Sequence, residues 1–155
     1  MTTERSGPLA GLVTMRMIIL FGLLRRSGVL AQRRQFDLSE IEWRIMTQVG
    51  QFAPLSLNGL AELLLQDRGQ LSRAVKAMVE RGLLSRERKP GGPEIEIDLT
   101  DKGRDVYARM VERVVERDRQ LTDGIPESDI AVLWRVIDTM VERADEMMEA
   151  ERNLG

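Results

Sequence analysis

Apolar positions recur at helical spacing through most of the chain, switch once to strict alternation, and then return to helical spacing. From Pro8 to about Gln32, Met17, Ile18, Ile19, Leu20, Phe21, Leu23 and Leu24 fall around almost the whole circumference of one helix. Pro8 suits a first helical turn, where its missing N–H costs little, and residues 1–7 read as frayed. A helix apolar on several sides must be covered on several sides, and a partner subunit is the expected cover. A second helix follows the caps in Asp37-Leu38-Ser39, with Glu40 and Glu42 in its first turn. It carries Ile41, Ile45, Met46 and Val49, and Gly50 is placed to end it.

Two short helices come next. Ser56 can cap one with Leu57, Leu60, Ala61 and Leu64; Asp67 can cap another with Leu71, Ala74, Val75 and Met78, closing at Arg81-Gly82. So short a connection forces a sharp turn, the spacing of a helix-turn-helix. The period then becomes two. Leu84, Arg86 and Arg88 share one face, and Ile95, Ile97 and Leu99 alternate with Glu94, Glu96 and Asp98. Lys89-Pro90-Gly91-Gly92-Pro93 between them can continue neither strand, so the segment is a hairpin, the wing of a winged helix. Thr100-Asp101 opens a long helix to about Leu121, and Pro126 opens a last one. A stripe from Ile130 through Leu133, Trp134, Ile137 and Val141 to Met148 runs along it and matches the first helix as a partner surface. The expected fold is mainly α with a small β-hairpin: an N-terminal dimerisation helix over 1–35, a winged helix-turn-helix lobe over 36–99, and C-terminal dimerisation helices over 100–155.

Composition narrows the chemistry. The 155 residues include no cysteine and no histidine. That removes disulfides, thiol sensing, Cys or His metal sites, and the usual general base near neutral pH. No cofactor is expected, and the lack of disulfides fits a cytoplasmic protein. The apolar run Leu9–Leu24 is broken by Arg16, is short for a bilayer span, and is followed by Arg25 and Arg26 rather than a cleavage site; it reads as a buried helix.

Net charge is −2, so the average does not point to nucleic acid, but the distribution does. Residues 68–89 hold seven basic side chains (Arg68, Arg73, Lys76, Arg81, Arg86, Arg88, Lys89) against Glu80 and Glu87. A helix entering a major groove buries one side and offers polar, mostly cationic groups on the other. With Leu71, Val75 and Met78 buried, Gly69, Arg73 and Lys76 point away, flanked by Gln70 and Ser72. Arg73 suits a guanine edge or a phosphate, Gln70 an adenine, and Gly69 a close backbone approach; Arg68 lies nearer the buried side. Ser56, at the start of the preceding helix, is a further candidate contact. The simpler readings are a solvated helix face and wing arginines paired across the hairpin with Glu94, Glu96 or Asp98. The order of helix, tight turn, cationic helix and hairpin favours DNA.

The stretches LSEIEWRIM, LNGLAELLLQDRGQLSR, VKAMVERGLLSRER and IDLTDKG, spanning Leu38 to Gly103, resemble the core of MarR-family regulators. The resemblance implies a triangular homodimer based on the first, fifth and sixth helices, with two winged lobes on a palindromic operator. It places Gln70, Ser72, Arg73 and Lys76 on the recognition helix and Arg86, Arg88 and Lys89 on the wing. Two positions depart from the family. Gly91-Gly92-Pro93 stands where an arginine commonly tips the wing, and Gly69 where a small hydroxyl is usual. Many relatives are released from DNA by lipophilic anions, for which Met17, Phe21 and Trp43 are the candidate lining, though core packing explains each as well. The expected function is a non-enzymatic, sequence-specific regulator that binds a pseudo-palindromic operator as a homodimer. The alternative is a winged-helix dimer specialised for protein interaction or sensing. An acid/base hydrolase has little support, because the carboxylates sit at solvating positions and no phosphate loop or nucleophile elbow occurs.

Overall fold

The computed structural model describes residues 7–92 and 95–154, so Pro93 of the wing tip, Glu94 of the alternation and the terminal residues 1–6 lie outside it. The elements are α1 (Val13–Phe36), α2 (Glu40–Phe52), β1 (Leu55–Ser56), α3 (Leu57–Leu64), α4 (Arg68–Glu80), β2 (Leu84–Arg88), β3 (Ile95–Leu99), α5 (Asp101–Thr122) and α6 (Glu127–Arg152). They fall into two compact units that meet within α5, one ending at Arg109 and the other beginning at Met110.

In the first unit the caps act as the sequence implies. Ser39 and Glu42 form a reciprocal capping box at α2, Ser56 Oγ accepts from Gly59 N–H at 3.0 Å, and Asp67 Oδ1 accepts from Gln70 N–H at 2.9 Å. The core of the lobe is apolar throughout: Ile45, Met46 and Val49 of α2, Leu60 of α3, Leu71, Val75 and Met78 of α4, and Ile97 of β3 are fully buried. Each helix thus spends one face on the core, which orients the opposite face of α4 outward.

The expected hairpin is present as β2 and β3, and a further strand joins it. The sheet has three strands in the order β1-β3-β2, with Leu55 opposite Ile97 and Leu84 opposite Leu99. β1 is only two residues long, too short to carry an alternation pattern. Gly50 does not end α2; the helix runs on to Phe52. The glycine is there for closeness instead, because a Cβ would fall on the Tyr107 ring of α5. Gly103 is used in the same way, since a Cβ there would fall on the Leu83 carbonyl. That approach is fixed by Thr100, whose hydroxyl donates to the Gly82 carbonyl at 2.6 Å and accepts from Gly103 N–H at 2.9 Å.

α1 begins at Val13, after a turn that takes up Pro8, and continues past Gln32 to Phe36. It is not a buried helix within one chain: none of its residues is buried, and Phe21 is 67% exposed. Its C-terminal half is held to α2 by a bidentate Arg25–Glu40 pair at 2.7 and 3.0 Å and by an edge-on contact between Phe36 and Trp43. The second unit holds the remainder of α5, a turn with Gly124 at φ +75°, and α6, whose Leu133, Trp134, Val141 and Met147 are exposed. Among the described residues no helix is long and apolar enough to cross a membrane, and no cluster of carboxylates could hold a metal ion.

Candidate nucleic-acid interface

The α4 helix presents two unlike faces. Leu71, Val75 and Met78 recur at helical spacing and are buried, while Arg68, Gly69, Gln70, Arg73, Lys76 and Ala77 are exposed. Arg73 and Lys76 have no carboxylate partner among the described residues, and the Arg73 guanidinium reaches back over the first turn towards Gly69. Asp67 Oδ1 accepts from the Gln70 N–H, and the carboxylate forms no ion pair with Arg73 or Lys76. Ser72 is half-buried at the edge of the face. Ser56 is half-buried too, and its hydroxyl already accepts the α3 capping bond.

Two expectations are corrected. Arg68 is exposed rather than turned towards the buried side, because it is the first residue of α4 and no preceding turn covers it. Arg81 drops out of the cationic cluster. Its Nη1 lies 3.1 Å from Glu42 Oε1 and its Nη2 donates to the Asp37 carbonyl at 2.8 Å, so its charge is used inside the lobe. Burial alone raises the Glu42 carboxyl. Hydrogen bonds from the Ser39 N–H and hydroxyl, with the charge and hydrogen bond of Arg81, outweigh that and hold it below its ordinary value.

On the wing, Arg86 faces Ile97 and Arg88 faces Ile95 across the hairpin, so neither arginine stands opposite an acid. Both are exposed, without an ion pair among the described residues. Lys89 behaves differently and pairs with Glu96 at 2.9 Å. Of the acids considered from sequence, Glu96 pairs with Lys89 rather than with an arginine, and Glu94 lies outside the described residues.

Sequence reasoning missed Arg44 and Gln66. Arg44 Nη2 donates to the Leu64 carbonyl at 2.6 Å, and Gln66 Nε2 donates to Gln70 Oε1 at 2.8 Å. The Arg44 contacts span 20 and 22 residues and leave no periodic signal, whereas Gln66 and Gln70 are four residues apart.

The structure does not gather Met17, Phe21 and Trp43 into one pocket within a chain. Trp43 lies against Phe36, and Phe21 stands fifteen residues earlier on α1, about 22 Å along the helix axis.

A tight helix pair, an outward cationic helix and a following hairpin define a winged helix-turn-helix protein. Residues 36–92 match the sequence model of the MarR family. No curated protein sequence matches the chain. Among solved structures, a MarR/EmrR family transcriptional regulator from Acinetobacter shares 22% identity and a TM-score of 0.71, covering 86% of this chain and 94% of that one. The transcriptional regulator SlyA shares 21% identity with a TM-score of 0.72, covering 87% of this chain and 96% of its own. A MarR protein from Peptoclostridium difficile shares 14% identity with a TM-score of 0.75, covering 94% and 96%. Identities this low speak for the fold; the family match rests on residues 36–92. Those residues match the MarR model, and the chain shares the fold of these solved regulators over most of its length.

Proposed function

We propose that the protein is a sequence-specific DNA-binding transcription regulator, in its simplest form a repressor, that grips a pseudo-palindromic operator as a homodimer. The observation that carries this reading is α4 itself: Arg73 and Lys76 project from a helix whose opposite side is wholly buried, and no acid among the described residues neutralises them. Arg68 at the same helix start and Arg86 and Arg88 on the wing extend the cationic face. Exposed Leu20, Phe21, Leu23 and Leu24 on α1 support the dimer, since one chain leaves them in water. In such a dimer the two α4 helices meet successive major grooves, about 34–36 Å apart.

A protein-interaction role has one observation in its favour. Glu87 and Glu96 face each other on the wing, and Glu96 holds Lys89, so that side of the hairpin is not cationic. A gel shift at moderate salt with genomic fragments separates the two. The regulator retards a subset of fragments over bulk DNA; indifference to fragment identity, or no retardation, contradicts the reading.

A further inference from the structure

Three hydrogen bonds run in one direction from α2 to the first turn of α4. Arg44 Nη2 donates to the Leu64 carbonyl at 2.6 Å, anchoring the guanidinium at the C-terminus of α3. Arg44 Nη1 donates to Gln66 Oε1 at 3.4 Å, and Gln66 Nε2 donates to Gln70 Oε1 at 2.8 Å. The direction is dictated by the guanidinium, which has five N–H donors and no acceptor. Gln66 can meet Arg44 only with its oxygen, which leaves its NH2 for Gln70. Gln70 can meet that NH2 only with its own oxygen, which leaves its Nε2 hydrogens without a partner among the described residues. An unconstrained glutamine has no such bias, because a half-turn of its amide exchanges donor for acceptor.

We infer that Arg44 and Gln66 are positioning residues that set the amide polarity of Gln70, so that α4 offers the groove a donor group and favours guanine over adenine at the base pair Gln70 meets. The inference rests on α4 being the DNA-reading helix. Guanine shows two acceptors, N7 and O6, whereas adenine shows an acceptor beside the N6 donor. Bidentate pairing of glutamine with adenine needs Oε1 turned into the groove. Here the bond from Gln66 turns Oε1 back towards the α3–α4 connection. The Gln70 main chain is fixed as well, through its N–H on Asp67, so the amide cannot escape the constraint by a shift of the first turn.

The polarity can be reversed by one substitution. Gln66→Glu supplies only acceptors, takes the Arg44 donor on one oxygen, and can bind Gln70 only through Nε2, which turns Gln70 Oε1 outward. The test is selection of bound sites from a random-sequence duplex library by the full-length protein and its variants. Wild type is expected to enrich guanine at one position per half-site, and Gln70→Ala to lose that preference alone. Gln66→Glu is expected to move the preference at that position towards adenine or cytosine, whose amino groups donate, by on the order of tenfold in relative affinity. Arg44→Lys, which keeps a donor-only partner, should retain guanine. A Gln66→Glu profile identical to wild type at the position that Gln70→Ala alters would overturn the relay and leave α4 as the reading helix. A Gln70→Ala profile unchanged everywhere would also overturn it. A wild-type pool enriched at no position would overturn the regulator reading and the relay together. Gln66 is only half-buried and Gln66→Glu keeps its size, and Arg44→Lys is a second variant, so the result does not depend on one variant that fails to fold.

Discussion

Arg81 Nη1 lies 3.1 Å from Glu42 Oε1, joining the C-cap of α4 to the first turn of α2 across a gap of 39 residues in sequence. Glu42 also completes the capping box with Ser39, so one carboxylate serves both a helix start and a tertiary strut. Its pKa is lowered from 4.5 despite burial, and a lowered carboxyl contributes stability that is present above its unfolded value and lost as pH falls through its folded one. Glu42→Gln is expected to cost about 1–2 kcal/mol at neutral pH. In thermal melts at a series of pH values, the gap between variant and wild type should close as pH drops below 4.5. A gap independent of pH would mean that the carboxylate charge contributes nothing.

Gly103 makes a prediction opposed to helix propensity. In an isolated helix, Gly→Ala gains about 1 kcal/mol. Here the new methyl would fall on the Leu83 carbonyl, held in place by Thr100. Gly103→Ala should therefore lose about 1–3 kcal/mol in urea unfolding. Stabilisation would show that α5 is free to move off the β2 approach.

Leu65 is left-handed, at φ 48°, and 90% exposed. Its side chain has almost no packing to lose, and the conformation favours glycine. Leu65→Gly is expected to stabilise the lobe by about 0.5–1 kcal/mol in the same urea assay. A clear loss would show that the leucine side chain has a partner in solution.

Arg88 tests the wing. If its guanidinium meets a phosphate, Arg88→Ala should weaken binding to every fragment alike and lower the slope of log K against log salt by about 0.9. An unchanged slope would remove the ascending strand of the wing from the interface.

The lobe was legible in the sequence because its information is local. Ser39, Ser56 and Asp67 sit where caps must sit, and Leu71, Val75 and Met78 share one helical face that proved fully buried. What escaped was long-range. β1 owes its existence to pairing with Ile97 and Glu96 rather than to its own two residues. Gly50 looked like a helix end but is small because Tyr107 approaches it. Arg81 reads as a surface cation in sequence but is held by Glu42 and Asp37, and the link from Arg44 to Gln66 crosses 22 residues that no periodicity relates. Of the site, the α4 cations and the wing arginines were readable from charge clustering, whereas their freedom from carboxylates needed coordinates.

In the proposed regulator the exposed side of α4 docks on DNA through Arg73. The direct measurement is a fluorescence-anisotropy titration of the fragment retarded most strongly by wild type, comparing Arg73→Ala with wild type after circular dichroism has shown equal folding. Affinity of the variant is expected to be lower by roughly 1–3 kcal/mol on that fragment, with a smaller change on bulk DNA. Equal affinity of the two proteins for the fragment would contradict docking through Arg73.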